Sequence, residues 1–97
     1  MGDVGQTEAV RLVAVVHGNV QGVGFRWWTK CRAAELGVSG HARNLPDGRV
    51  EVLAEGLRPS CERLLDLLRH GPTPGRVDRV VPRWSAPTGE PTGFIEC

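Results

Sequence analysis

The chain has no C-x-x-C pair, a single lysine, no apolar run approaching membrane-spanning length and a formal net charge of only +1 over its 97 residues. Cys31, Cys61 and Cys97 are an odd, widely spaced set and no signal peptide precedes them. Free thiols in a reducing, cytoplasmic setting are therefore expected, not a disulfide framework. His17, His41 and His70 fall into no ligand spacing with these cysteines or with carboxylates, so no metal is expected. Without a run of about 20 apolar residues there is no membrane-spanning helix. A near-zero net charge carries no field suited to DNA or to an acidic membrane, so neither is an expected partner. Repeats, heptads and low-complexity stretches are also missing.

What is present alternates between strand and helix patterns. Arg11 to His17 is apolar enough for a central strand, and Phe25 to Leu36 places Phe25, Trp28, Thr29, Arg32 and Leu36 on one helical face, with Gly37 as its stop. Val38 to Asn44 reads as a second strand, Leu45-Pro46-Asp47-Gly48 as a turn and Arg49 to Glu55 as a third strand. In that strand Val50, Val52 and Ala54 alternate with Arg49, Glu51 and Leu53, which assigns the first set to the core. Leu57, Cys61, Leu64, Leu65 and Leu68 form the stripe of a second helix, with Pro59 in its first turn and Gly71-Pro72 at its end. Val77 to Trp84 is a fourth strand, and Gly93 to Glu96 has room for a short fifth.

The order βαββαβ, with right-handed crossovers and a central hairpin, predicts an α+β ferredoxin-like sandwich: a four-stranded antiparallel sheet with two helices on one face. One domain over residues 9–97 is expected, acting as a monomer, with residues 1–8 as a flexible tail. This fold hosts many functions, so function must come from a site.

The site is suggested by Gly18-Asn19-Val20-Gln21-Gly22-Val23-Gly24-Phe25-Arg26, which joins the first strand to the first helix. Glycines let the backbone approach a ligand closely, and a loop feeding a helix start directs unpaired N–H groups at one spot with the helix dipole behind them. Arg26 adds a planar, permanently charged fork for phosphate oxygens. Rival loops lack their own marks: no Lys-Ser/Thr pair follows Gly24, the glycine spacing is not G-x-G-x-x-G, and no cysteine precedes Arg26. Glycines placed for packing alone remain the bland alternative.

Asn44 ends the second strand, where this topology can bring it near the loop. A carboxamide both donates and accepts, so it can hold a water in a chosen orientation. The constellation contains no metal cluster, no evident nucleophile and no carboxylate placed as a base. It suits a phosphate whose leaving group is already stable, as in a carboxylic–phosphoric anhydride. His17 beside the loop is more simply a packed strand-end histidine than a base, Trp27-Trp28 more simply surface and core than a stacking platform, and Asp47 before Gly48 is turn chemistry.

The run Gly18 to Arg26 and the run Gly40-His41-Ala42-Arg43-Asn44-Leu45-Pro46-Asp47-Gly48-Arg49-Val50-Glu51-Val52 resemble the two signatures of the acylphosphatase family. The likeness extends from about Arg11 onward, including Arg76 to Val80 and the Gly93-Phe94 ending. It implies an acylphosphatase that splits small acyl phosphates into carboxylate and inorganic phosphate without a cofactor. By the same likeness the backbone N–H groups of Gly18, Asn19, Val20, Gln21, Gly22, Val23 and Gly24, with the Arg26 guanidinium, bind the phosphoryl group. Asn44 orients the attacking water, and a substrate phosphate oxygen takes its proton. Asn19 stands where a basic residue is frequent in the family, His41-Ala42 where Trp-Val is common, and the tail is short. Of the other classes, an RNA reader needs aromatics on its third strand, and Arg49 to Glu55 has none. An anion sensor without turnover would keep the loop but lose Asn44. A piece of a larger carbamoyl-transfer maturation protein would carry further domains.

Overall fold

The computed structural model describes residues 8–97. Chain order is β1 (Ala9–Asn19), α1 (Phe25–Leu36), β2 (Ser39–Asn44), β3 (Val50–Leu57), α2 (Arg58–His70), β4 (Arg76–Ser85) and β5 (Phe94–Glu96). The expected tail over residues 1–8 lies outside the described residues except for Glu8, whose carbonyl accepts the Arg58 N–H at 3.0 Å.

Strand alternation and helical periodicity meet in one core. Leu12, Ala14 and Val16 of β1 and Val50, Val52 and Ala54 of β3 bury the face that receives Phe25, Trp28 and Ala33 of α1 and Cys61, Leu64, Leu65 and Leu68 of α2. The sheet order is β4-β1-β3-β2-β5, and the first four strands pair antiparallel as the ferredoxin-like topology requires. The fifth pairs parallel to β2, with Gly40 opposite Phe94 and Ala42 opposite Glu96, so the sheet is mixed.

Three details depart from the expected pattern. Leu57 is not part of the helical stripe: it caps α2 with extended φ −63° and ψ 144° and stays half exposed, so the stripe begins at Cys61. β1 extends past His17 through a register shift, and Gly18 and Asn19 pair with Val77 and Arg76 of β4. The second face of β3 is not open to solvent, because Leu53 and Glu55 are buried as well. Glu55 is covered by the connection between β4 and β5, which crosses the sheet as a strap. Glu55 accepts the N–H groups of Thr88 and Gly89 and the Thr88 hydroxyl, each at 2.9 Å, and pairs with Arg11 at 2.9 Å. Beyond it, Gly93 N–H reaches the Ser39 hydroxyl at 3.2 Å. The strap carries the chain from one edge of the sheet to the other, and β5 then runs back beside β2.

Candidate active site

Gly18 and the later glycines of the loop have different physical reasons. At Gly18 φ is 141° and a Cβ would lie 2.1 Å from the Arg76 carbonyl oxygen, so no side chain fits between β1 and β4. At Gly22 and Gly24, φ is 74° and 83°, the left-handed region, and an added Cβ would meet nothing within 4 Å. The first glycine serves packing. The other two shape a bend that faces outward.

Between them the side chain of Val20 is buried in the core, and Asn19 is exposed. Among the described residues, the N–H groups of Gln21, Gly22, Val23 and Gly24 donate to no hydrogen-bond partner. The bend leads directly into α1, whose N-cap is Gly24 in left-handed conformation, with no side-chain cap and no acidic residue in the first turn. No acidic side chain in the first turn compensates the positive end of the helix dipole. Arg26 is the second residue of this helix, partly exposed, and its guanidinium donates to the main-chain oxygen of Cys97.

That contact ties Arg26 to β2, because Cys97 N–H donates in turn to the Ala42 carbonyl at 2.9 Å. Asn44 is the last residue of β2, exposed, and opposite Val50 across the ladder. The hairpin that follows is closed by Leu45 N–H to the Arg49 carbonyl at 2.8 Å and Gly48 N–H to the Leu45 carbonyl at 3.2 Å. Gln21 reaches this hairpin from the loop: its side-chain nitrogen donates to the Leu45 carbonyl at 2.8 Å and the Arg49 carbonyl at 2.9 Å. Loop, helix start and β2 end thus meet at one end of the sheet through two ties, one from Gln21 and one through Cys97. Neither tie is legible as a motif. A long carboxamide among glycines is a weak hint for Gln21, whereas the Cys97 contact uses a backbone oxygen that any residue would supply.

Neighbouring side chains fall into plainer roles. His17 lies with Nε2 3.5 Å from the Arg79 guanidinium, which can only donate, so His17 accepts there. Trp28 is buried beside Phe25, with ring centroids 6.1 Å apart, and Trp27 is exposed. Arg43 and His41 both contact Glu51, at 2.8 and 3.1 Å. Asp47 accepts the Arg49 N–H at 3.3 Å within the turn, and hydrogen bonding to Arg49 holds its carboxyl below the usual range. Among the described residues no group of three His, Cys, Asp or Glu side chains could hold a metal ion.

A groove of about 450 Å³ lies away from this place, between the strap and the sheet, lined by residues including Arg11, His41, Leu53 and Glu90. It contains no residue of the loop, nor Arg26 or Asn44. N–H groups on an outward bend can hold a phosphate-sized anion without a deep cavity.

Chemically, the arrangement offers several N–H donors and one guanidinium for a compact anion, and one amide at its rim. Known proteins of one family resemble the chain over most of its length. The family model described as Acylphosphatase matches residues 12–95. An acylphosphatase of Thermobifida fusca is 67% identical over 89 residues, covering 92% of this chain and 98% of the relative. One from Nocardia farcinica is 64% identical over 89 residues, covering 92% and 89%. The crystal structure of acylphosphatase from Bacillus subtilis superposes with a TM-score of 0.85 at 29% identity, covering 91% of this chain and 98% of the other.

Proposed function

Because the chain belongs to the acylphosphatase family, we propose that it hydrolyses the carboxyl–phosphate bond of small acyl phosphates by direct attack of water on phosphorus. The phosphoryl group is held by the N–H groups of Gln21, Gly22, Val23 and Gly24, unpartnered among the described residues, and by the Arg26 guanidinium. Gly18 and Asn19, paired to β4, fix the start of the bend, and the attacking water is held by the Asn44 carboxamide. As the water oxygen bonds to phosphorus, the P–O bond to the acyl group breaks and its electron pair leaves with the carboxylate. The proton shed by the water goes to a phosphate oxygen of the substrate, so no side chain has to act as base. The leaving carboxylate is stable at neutral pH and needs neither a general acid nor a Lewis acid. Positioning and charge stabilisation are the whole of the catalytic task.

One observation carries this reading: the donor-rich bend and the Asn44 strand end are joined by the Gln21 hydrogen bonds at 2.8 and 2.9 Å. An anion sensor would have no use for that second element. The test is hydrolysis of benzoyl phosphate by wild type, Arg26→Ala and Asn44→Ala. Each substitution is expected to lower kcat/KM by roughly 10²–10³-fold or more, the cost of removing one preorganised donor. Turnover is expected to need no added metal and to survive a chelator. Full activity in Asn44→Ala would remove the water-positioning role, and a folded wild type without turnover would leave anion sensing as the better reading.

A further inference from the structure

Asn44 is exposed at the end of a strand, and its side chain makes no hydrogen bond among the described residues. Its position is therefore set by the backbone on either side of it. On the β2 side that backbone is held by the ladder to β3. On the other side it enters the hairpin at Leu45, and the Leu45 carbonyl is where Gln21 attaches. The Arg49 carbonyl closes the hairpin by accepting Leu45 N–H at 2.8 Å and accepts the second Gln21 hydrogen at 2.9 Å. Both acceptors are carbonyl oxygens, so the amide nitrogen must face them, and its two hydrogens are both used. Among the described residues these are the only hydrogen bonds passing directly between residues 18–24 and the hairpin of residues 44–50.

We propose that the Gln21 side chain is a positioning residue that sets the register between the phosphate-holding bend and the water-holding Asn44. This rests on the reading of Asn44 given above and adds what keeps that amide at the right distance. The backbone N–H of Gln21 belongs to the anion cradle; its side chain acts on the other half of the site. The two functions are separable because substitution removes only the second. A displacement of about 1 Å between a reacting group and its partner costs up to roughly 10²-fold in rate, so a tie that fixes this spacing appears in kcat. Phosphate affinity, which depends on the bend and Arg26, does not follow it.

The experiment compares Gln21→Met, of similar length and without donors, and Gln21→Asn, one methylene too short to span both carbonyls, in wild-type and Asn44→Ala backgrounds. Steady-state hydrolysis of benzoyl phosphate is measured with competitive inhibition by inorganic phosphate as the binding readout. Folding of each variant is checked by its thermal unfolding transition. In the wild-type background kcat is expected to fall roughly 10- to 100-fold, with the phosphate inhibition constant unchanged within about two-fold. In the Asn44→Ala background the same substitutions are expected to cost less than about three-fold, because residues acting as one unit are non-additive. Equal losses in both backgrounds, or a phosphate constant that rises in step with the fall in kcat, would assign Gln21 to the shape of the loop and overturn the proposal. Wild-type kcat in either Gln21 variant, with Asn44→Ala inactive, would overturn it alone. Full activity in Asn44→Ala would overturn the water-positioning reading and this inference together. If Gln21→Met does not fold, Gln21→Asn decides by the same criteria.

Discussion

Single residues carry contrasts that composition hides. Gly18 and Gly22 are both loop glycines in the sequence, but one is boxed in by the Arg76 carbonyl and the other faces open space. Gly22→Ala is expected to cost roughly 1–2 kcal/mol, the penalty of a left-handed conformation for a residue with a Cβ. Gly18→Ala adds a backbone overlap and is expected to cost roughly 3 kcal/mol or more. Urea unfolding of the two variants measures both, and equal losses would mean that the β1–β4 contact gives way without strain. The cysteines differ in the same manner. Burial pushes the Cys61 thiol up to about 11, whereas Cys97 is exposed. An aromatic disulfide reagent at neutral pH is expected to modify Cys97 in the native protein and Cys61 only on unfolding, since the thiolate is the reacting form. Rapid native labelling of Cys61, located by peptide mass, would contradict its enclosure.

The elements show how far pattern can be read and where it stops. The stripe Cys61, Leu64, Leu65, Leu68 is legible because a 3.6-residue period leaves one face to bury, and the alternation Val50, Val52, Ala54 because strand side chains change face at every step. Leu57 fits the same helical spacing but sits in the capping position, where backbone geometry overrides period. The burial of Leu53 and Glu55 was not legible at all. Glu55 lies under a strap held by Thr88 and Gly89, 33 and 34 residues away from it, through bonds between its carboxylate and backbone N–H groups that leave no periodic trace. The direction of β5 depends on that strap, and so does the tie from Cys97 to Arg26. The candidate site was legible as far as the loop, Arg26 and Asn44, whose residue types state their chemistry. What joins them, Gln21 to two carbonyls and Cys97 to Arg26, was not, because backbone acceptors have no sequence identity.

Glu55 gives the strap a measurable pH dependence. Burial raises its pKa, but hydrogen bonds from the Thr88 and Gly89 N–H groups, the Thr88 hydroxyl and Arg11 outweigh that and bring it from 4.5 down to about 2. A carboxyl whose folded pKa is depressed contributes stability above its unfolded value and loses it as pH falls through the folded one. The contribution is thus complete at neutral pH and disappears between about 4.5 and about 2. Glu55→Gln is expected to be less stable at pH 7 and to show a flatter stability curve over that window. Parallel wild-type and variant curves in urea titrations across the window would show that the strap is held by something else.

At the scale of the whole molecule, the sheet order β4-β1-β3-β2-β5 brings separate pieces of chain to one end. The first strand delivers the bend, the second delivers Asn44, and the fifth returns the chain to Arg26. A ligand that grips this end stabilises the entire fold, because it binds the native state and not the unfolded chain. Inorganic phosphate at about 100 times its dissociation constant is worth roughly 2.7 kcal/mol, and for a domain of this size a rise in Tm of roughly 10 °C or more. The rise is expected in wild type and Asn44→Ala and is expected to be lost in Arg26→Ala; an undiminished rise in Arg26→Ala would place the anion elsewhere.

The central claim is attack of a held water on phosphorus. Hydrolysis of benzoyl phosphate in ¹⁸O-labelled water, followed by mass analysis of both products, tests it most directly. The expected result is one ¹⁸O in the inorganic phosphate and none in the benzoate. Label in the benzoate carboxyl would mean attack at the acyl carbon, and would contradict the reading of this end of the sheet as a phosphoryl-holding site.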